Sequence, residues 1–148
     1  MSRLIVLSNR VKVPDNKPMA GGLAVALQNV LIGNGKVVES RNNASGSTDL
    51  FTSKQASLTS EGTCITYMTT ALTTEQYNQF YCGFANNVLW PLLHERIDLI
   101  SQKSQDYAGY QDVNRLFAKQ LKKIIEPDDV IWVHDYHFLS VAYHCRQL

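Results

Sequence analysis

The sequence predicts an α/β fold, in which a Rossmann-like parallel sheet is flanked by helices. Short apolar runs rich in β-branched residues, at residues 4–7 and 130–133, are typical of strands buried on both faces. Between these runs lie segments whose apolar residues recur at helical spacing. Strands that alternate with helices form a parallel sheet through right-handed crossovers, so we expect this architecture.

In the first half of the chain, a polar loop follows the strand at residues 4–7 and leads into a helix predicted for residues 23–31. Residues 36–38 are predicted as a second strand, and residues 40–48, rich in Ser, Asn and Gly, as a loop. The alternation in residues 63–68 predicts a further strand.

The second half is predicted to be mostly helical around one strand. Pro127 ends the longest amphipathic segment, and Asp128 and Asp129 lead from it into the strand at residues 130–133, whose Trp132 is expected in the core. The predicted helices are residues 73–84, 87–99 (with Pro91 near the start), 110–124 and 138–148.

Composition excludes several function classes. The chain has 148 residues, of which 45% are hydrophobic and 18% charged, as expected for a single globular domain. Its 14 Lys and Arg against 13 Asp and Glu form no basic stripe, which argues against a nucleic-acid partner. No apolar segment approaches the ~18 residues of a membrane span or forms a signal sequence. Three cysteines without a CxxC pair are typical of a reducing compartment, so a cytoplasmic location is expected.

Polar residues follow two of the predicted strands, at the edge where ligands bind in parallel sheets. Ser8, Asn9 and Arg10 follow the first strand, and His134 and Asp135 follow the last. The guanidinium of Arg10 suits a phosphate, which it can bind through two parallel hydrogen bonds. The alternative is a surface arginine that pairs with a local carboxylate such as Asp15.

Gly21 and Gly22 stand at the start of the predicted helix at residues 23–31. Without side chains the backbone can approach a ligand, and the free N–H groups of a helix start favour an anion. The alternative is a simple hinge between loop and helix, because a lone Gly-Gly pair is neither a dinucleotide-binding nor a P-loop motif.

Asp135 has two interpretations. A carboxylate at a strand end can accept hydrogen bonds from two vicinal sugar hydroxyls or orient a base, but it can also cap the helix that follows. His134 and His137 are three residues apart, yet Tyr136 is a poor ligand and no other His or Cys lies nearby in sequence, so no metal is expected. Tyr81, Phe84 and Trp90 form an aromatic set whose spacing favours core packing.

Four stretches resemble, in order and approximate spacing, the trehalose-6-phosphate synthases, which are retaining glycosyltransferases of family 20. The stretches are SRLIVLSNR, AGGLAVAL, QFYCGFANNVLWPLLHERIDL and DDVIWVHDYHFL. The resemblance spans nearly the whole chain. It implies a GT-B fold of two Rossmann-like domains, of which residues 1–148 would form part of the N-terminal, acceptor-side domain, and it implies no cofactor or metal.

The resemblance also implies roles for individual residues. Arg10 would bind the phosphate of glucose 6-phosphate, while Tyr81, Trp90 and Asp135 would shape the pocket for its sugar. Gly21 and Gly22 would present N–H groups to the diphosphate of UDP-glucose. The implied reaction transfers glucose to glucose 6-phosphate with retention, releasing UDP, and depends on positioning and electrostatic stabilisation.

Two departures from the family pattern modify these expectations. An aromatic, Gly-rich segment with a Trp near the acceptor is replaced by Val-Val-Glu-Ser-Arg-Asn at residues 37–42. The family is also considerably longer, so the C-terminal donor domain is absent from this chain. We therefore expect the chain alone to be inactive, to bind UDP-glucose weakly or not at all, and to form a homo-oligomer or require a complementing chain, because a half-built sheet exposes a strand edge.

Two further hypotheses remain open at this point. The chain is a non-catalytic remnant or partner subunit that binds a sugar phosphate or nucleotide, or it belongs to a pseudo-glycosyltransferase with a different acceptor. The second hypothesis rests on the missing aromatic segment.

Overall fold

The fold is built on a five-stranded sheet in the order β3-β4-β2-β1-β5. The computed structural model describes residues 3–9, 35–42, 51–57 and 64–148. All neighbouring strands run parallel except β3, which is antiparallel to β4. The strands are β1 (Leu4–Ser8), β2 (Gly35–Asn42), β3 (Phe51–Ser57), β4 (Cys64–Leu72) and β5 (Val130–Val133).

Strand β1 lies between β2 and β5, so the direction of winding reverses at the β1–β5 pair. Leu7 of β1 is opposite Val133 of β5, and the His134 N–H donates to the Leu7 carbonyl at 2.9 Å. In an open parallel sheet the crevice for ligands forms at such a reversal, beyond the carboxyl ends of the two strands. The sheet therefore places the ends of β1 and β5 at the expected position of a binding site.

One continuous helical stretch follows β4, where the sequence predicts two helices. It consists of α1 (Thr74–Tyr77), a π-helix (Asn78–Leu89) and α2 (Trp90–Leu93). Pro91 lies inside this stretch and has no N–H to donate to the Asn87 carbonyl. That carbonyl accepts instead from the Ser101 N–H at 2.9 Å, so the proline is accommodated without breaking the helix.

Two helices pack beside the sheet. Helix α3 (Ser104–Lys122) begins six residues before its predicted start, and α4 (Val141–Arg146) forms the last helix. The Phe117 ring of α3 lies 4.6 Å from the ring of Phe138, and both side chains are fully buried. The core comprises Ile5, Leu7, Met68, Leu72, Phe80, Tyr110, Val113, Phe117, Ala118, Leu121, Phe138 and Val141.

Three parts of the secondary structure differ from the prediction. Strand β3 is absent from the prediction, because FTSKQAS has little apolar alternation and is held by its pairing with β4. Strand β2 continues to Asn42, into the predicted loop, because it pairs with β4 as far as Leu72. The predicted helix at residues 138–148 is divided into a 3₁₀ turn (Tyr136–Phe138) and α4. The helix predicted for residues 23–31 lies outside the described residues.

The prediction that Trp132 is a core residue is wrong. Trp132 is 40% exposed and Val130 is 58% exposed, while Ile131 and Val133, which alternate with them, are partly buried. Successive side chains of a strand point to opposite faces, and only the face of Ile131 and Val133 packs against the described core. Among the described helices, none combines the length and apolar character needed to cross a bilayer.

Candidate substrate site at the β1–β5 edge

The two polar clusters predicted from the sequence meet at one edge of the sheet. Leu7 pairs with Val133, so Ser8 and Asn9 follow β1 at the same edge where His134 and Asp135 follow β5. Ser8 and Asn9 are buried, at 3% and 7% exposure. The carboxyl ends of β1 and β5 thus form the floor of a shared polar site.

Asp135 has a strained backbone. Its φ of 67° and ψ of 179° fall in a region that is essentially restricted to glycine and costs about 1–3 kcal/mol for other residues. Its Oδ1 accepts from the Tyr136 N–H at 2.8 Å, and its Oδ2 lies 3.9 Å from Nδ1 of His137. The side chain remains 42% exposed, so the carboxylate is accessible to a ligand. Strain of this kind is common at binding and active sites.

Four aromatic rings form a column beside Asp135. The Tyr77 and Tyr81 centroids are 5.1 Å apart, those of Tyr81 and His137 are 5.5 Å apart, and those of His137 and Tyr136 are 4.3 Å apart. Each pair is stacked, with interplanar angles between 17° and 28°. The column connects α1 and the π-helix to the segment after β5, and it places Tyr81 in the same cluster as Asp135.

The hydroxyl of Tyr136 links this cluster to the π-helix by donating to Oδ1 of Asn86 at 3.3 Å. Burial, and then the nearby charges of Asp135 and Tyr81, raise the pKa of Tyr136. The Tyr136 phenol therefore remains neutral at physiological pH and acts as a hydrogen-bond donor. A carboxylate next to this phenol suits a ligand that carries several hydroxyl groups.

Helix α3 is hydrogen-bonded to the segment that follows β5. The Tyr110 hydroxyl donates to the Tyr136 carbonyl at 2.8 Å and accepts from the Leu139 N–H at 3.1 Å. Nδ2 of Asn114 donates to the carbonyls of Tyr110 and His137, at 2.9 and 3.2 Å. The turn that carries Asp135 is thus attached to a buried face of α3.

The structure brings together two of the predicted sugar-binding residues, Tyr81 and Asp135, with His137 between them. Trp90 is 41% exposed, and its ring stacks on His94 at 4.3 Å, so the expectation of a core position is wrong for Trp90. Tyr81 and Phe84 are partly buried and pack against the core. The remaining predicted site residues, Arg10, Gly21 and Gly22, lie outside the described part of the chain, as does Asp15.

The site also includes four residues that were not predicted from the sequence: Tyr77, Asn86, Tyr110 and Asn114. A signal was present for Asn114, which stands between Val113 and Phe117 on the apolar face of α3 and is fully buried. A buried amide of this kind must find hydrogen-bond partners, and here they are backbone carbonyls. Tyr77 stands four residues before its stacking partner Tyr81, which is helical spacing. Asn86 and Tyr110 give no comparable signal, because their hydrogen-bond partners are distant in sequence.

Comparisons with known proteins identify the family. A family model described as glycosyltransferase family 20 matches residues 7–148. The trehalose-6-phosphate synthase of Sinorhizobium fredii is 44% identical over 150 residues, covering 100% of this chain and 32% of the relative. That of Sodalis glossinidius is 38% identical, covering 100% of this chain and 31% of the relative.

Solved structures of similar enzymes share the fold. An alpha,alpha-trehalose 6-phosphate synthase from Burkholderia multivorans has a TM-score of 0.85 at 43% identity, covering 99% of this chain and 31% of its own. One from Burkholderia xenovorans, in complex with glucose-6-phosphate, has a TM-score of 0.81 at 37% identity, with 99% and 31% covered. These similarities confirm the predicted fold class, a Rossmann-like α/β part of a GT-B glycosyltransferase. The chain spans about a third of the length of these relatives.

Proposed function

Because the chain belongs to glycosyltransferase family 20, we propose that it forms the acceptor-side part of a trehalose-6-phosphate synthase. The complete enzyme would transfer glucose from UDP-glucose to glucose 6-phosphate with retention, giving trehalose 6-phosphate and UDP. Residues 1–148 would act as one domain that holds the acceptor.

The observation that carries this proposal is the strained Asp135 at the edge where the direction of winding reverses. Its accessible carboxylate stands beside the Tyr81–His137 stack, and next to β1, whose end leads directly into Arg10. In the proposed complex the carboxylate of Asp135 accepts hydrogen bonds from sugar hydroxyls, Tyr81 packs against the ring, and Arg10 binds the phosphate through two parallel hydrogen bonds. Trp90 would line the open side of this pocket, and Gly21 and Gly22 would face the donor diphosphate.

A cytoplasmic location belongs to the same proposal. It is supported by the composition, since three cysteines without a CxxC pair are typical of a reducing compartment. A complementing chain or a second copy is proposed as the partner, supported by the open side of β5 in the described sheet.

Calorimetric titration with glucose 6-phosphate tests the acceptor site directly. We expect Arg10→Ala to weaken binding about 10- to 100-fold, the effect of losing a charge-assisted hydrogen-bond pair. Glucose without the phosphate should bind the unmodified chain and Arg10→Ala equally weakly. Arg115→Ala is the matched control, because Arg115 is exposed on α3 and pairs only locally with Asp112. An unmodified chain that does not bind glucose 6-phosphate would refute the proposal.

A non-catalytic module that binds a sugar phosphate or a nucleotide is the second candidate. UDP release from UDP-glucose and glucose 6-phosphate separates the two candidates. We expect none from the chain alone. Addition of a separately produced donor-side portion of a relative should restore release if the chain is part of an enzyme, whereas binding without release in that mixture would favour the module.

A further inference from the structure

We propose that Tyr110 and Asn114 are positioning residues that hold the Asp135 turn, residues 134–139, in its strained conformation. Both residues contact the turn through hydrogen bonds to its backbone. Through that backbone they determine where the Asp135 carboxylate points.

The Tyr110 hydroxyl clamps the turn at both ends of its 3₁₀ segment. It donates to the Tyr136 carbonyl at 2.8 Å and accepts from the Leu139 N–H at 3.1 Å. One oxygen atom therefore joins the first residue of the segment to the residue that follows it. Tyr110 is only 2% exposed, so water does not compete for these two bonds.

Asn114 holds the middle of the same turn. Its Nδ2 donates to the His137 carbonyl at 3.2 Å and, one helical turn back, to the Tyr110 carbonyl at 2.9 Å. The side chain is fully buried among the core residues of α3. Three backbone groups of the turn, at residues 136, 137 and 139, are therefore hydrogen-bonded to one helix.

The turn is also fixed on the other side of Asp135. The His134 N–H donates to the Leu7 carbonyl at 2.9 Å, which anchors the last residue before Asp135 to the centre of the sheet. Asp135 is the one residue between the sheet anchor and the first α3 anchor. Its backbone must absorb the difference in direction between the two anchors, and it does so with a φ of 67°.

If the bonds from α3 are removed, the turn can relax, Asp135 can leave the glycine-only region, and its carboxylate moves away from the aromatic column. The consequence for ligand binding rests on the proposed acceptor site, whereas the consequence for backbone strain does not.

A stability cycle tests the strain without any ligand. Asp135→Gly and Asp135→Ala both remove the carboxylate, so the difference between their melting temperatures reports the backbone conformation at this position. In the chain with Tyr110 intact, we expect Asp135→Gly to melt higher than Asp135→Ala by roughly 2–4 °C. In a chain that also carries Tyr110→Phe, this difference in melting temperature should disappear or reverse. Position 135 no longer needs a conformation that favours glycine there, and glycine loses more conformational entropy than alanine on folding. An equal difference in both backgrounds would overturn the proposal.

Asn114→Ala supplies an independent second background. It removes the donor to the His137 carbonyl and leaves the Tyr110 hydroxyl in place. We expect the Gly–Ala difference at position 135 to shrink here as well. The same difference as in the unmodified chain would remove Asn114 from the assignment, and if Tyr110→Phe proves too unstable to measure, this background decides the proposal.

Titration with glucose 6-phosphate tests the consequence for binding. If Tyr110→Phe reduces the population of the competent turn to about a tenth, the dissociation constant rises about tenfold. Leu121→Ala is the control, because this fully buried core residue lies eleven positions along α3 from Tyr110 and its side chain forms no hydrogen bond. We expect Leu121→Ala to lower the melting temperature and leave the dissociation constant unchanged.

The two readouts separate the inference from the proposed function. No binding by the unmodified chain, together with a Gly–Ala difference that depends on Tyr110, would reject the acceptor site and keep the positioning role. Binding that is insensitive to Tyr110→Phe, together with a constant Gly–Ala difference, would reject the positioning role and keep the acceptor site.

Discussion

The guanidinium of Arg3 binds the carboxylate of Asp129 through two hydrogen bonds, from Nε at 2.8 Å and from Nη2 at 2.5 Å. Nη2 also donates to the Ile124 carbonyl at 2.9 Å. The Asp129 side chain is only 1% exposed. This pair joins the residues that precede β1 and β5, so it sets the relative position of the two strands whose opposite ends form the candidate site.

The Arg3–Asp129 pair makes stability depend on acid pH. The hydrogen bonds from Arg3 hold the pKa of Asp129 well below its usual range. A depressed folded-state pKa contributes stability above the unfolded pKa of about 3.9, and this contribution is lost as the pH falls toward the folded value. We expect Asp129→Asn to lower the melting temperature at pH 7 and to show a smaller loss of stability than the unmodified chain below pH ~4.

Asp128→Asn is the matched control for this measurement, because Asp128 is the exposed neighbour of Asp129. It should leave both the melting temperature and its acid dependence close to those of the unmodified chain. Identical acid profiles for Asp129→Asn and the unmodified chain would contradict a native pair with Arg3.

Tyr110 makes stability depend on alkaline pH. Burial raises the pKa of Tyr110 to about 12. A folded-state pKa above the unfolded value of about 10 means that the unfolded chain ionises first, so stability falls between pH ~10 and ~12, by roughly 2–3 kcal/mol in total. We expect Tyr110→Phe to lose stability less steeply over this range, as measured by urea unfolding at several pH values. Equal slopes for the two chains would show that Tyr110 ionises normally.

Gly83 is required by the close approach of Asp106. A Cβ atom at Gly83 would lie 2.4 Å from Cγ of Asp106, which is 92% buried against the π-helix. Glycine to alanine in a helix interior ordinarily stabilises by up to ~1 kcal/mol. Here we expect Gly83→Ala to destabilise by about 1–3 kcal/mol, because the added methyl overpacks the contact.

Rescue identifies the cause of this loss. Asp106→Ala removes the carboxyl group, including the Cγ atom that the added methyl would contact, so the double variant Gly83→Ala, Asp106→Ala should be about as stable as Asp106→Ala alone. Urea unfolding of the four chains gives the coupling between the two positions. If the two substitutions have additive effects on the free energy of unfolding, the loss in Gly83→Ala does not come from the contact with residue 106.

Within the described part of the chain β5 pairs with a strand on one side only, and this predicts self-association. The edge carries Val130 and Trp132, 58% and 40% exposed, and exposed apolar edge strands pair readily with other chains. We expect sedimentation velocity at micromolar concentration to show dimers or larger species, and Trp132→Lys to shift the chain toward the monomer. Tyr143→Lys is the control, since Tyr143 is more exposed but belongs to α4. A compact monomer at these concentrations would count against both the open edge and the proposed partner.

Local pattern was sufficient for much of the fold. The apolar runs of β1 and β5, the amphipathic spacing of α3 and the break at Pro127 depend on neighbours in sequence, so their element types are predicted correctly. Strand β3 could not be predicted, because FTSKQAS is extended only through its ladder with β4. Pro91 was expected near a helix start and lies within a helical stretch, because Ser101 satisfies the carbonyl that the proline leaves unpaired.

In the candidate site, too, some features follow from the sequence and others depend on the tertiary structure. The sequence by itself determined the chemistry available at the ends of β1 and β5: a carboxylate in Asp135, phenols and histidines around it, and Arg10 beyond the first strand. Only the tertiary structure decided that Asp135 is strained and accessible, and that Tyr110 and Asn114 hold its turn. The physical reason is that a residue type follows from the sequence alone, whereas the direction of its carboxylate depends on hydrogen bonds between residues more than twenty positions apart.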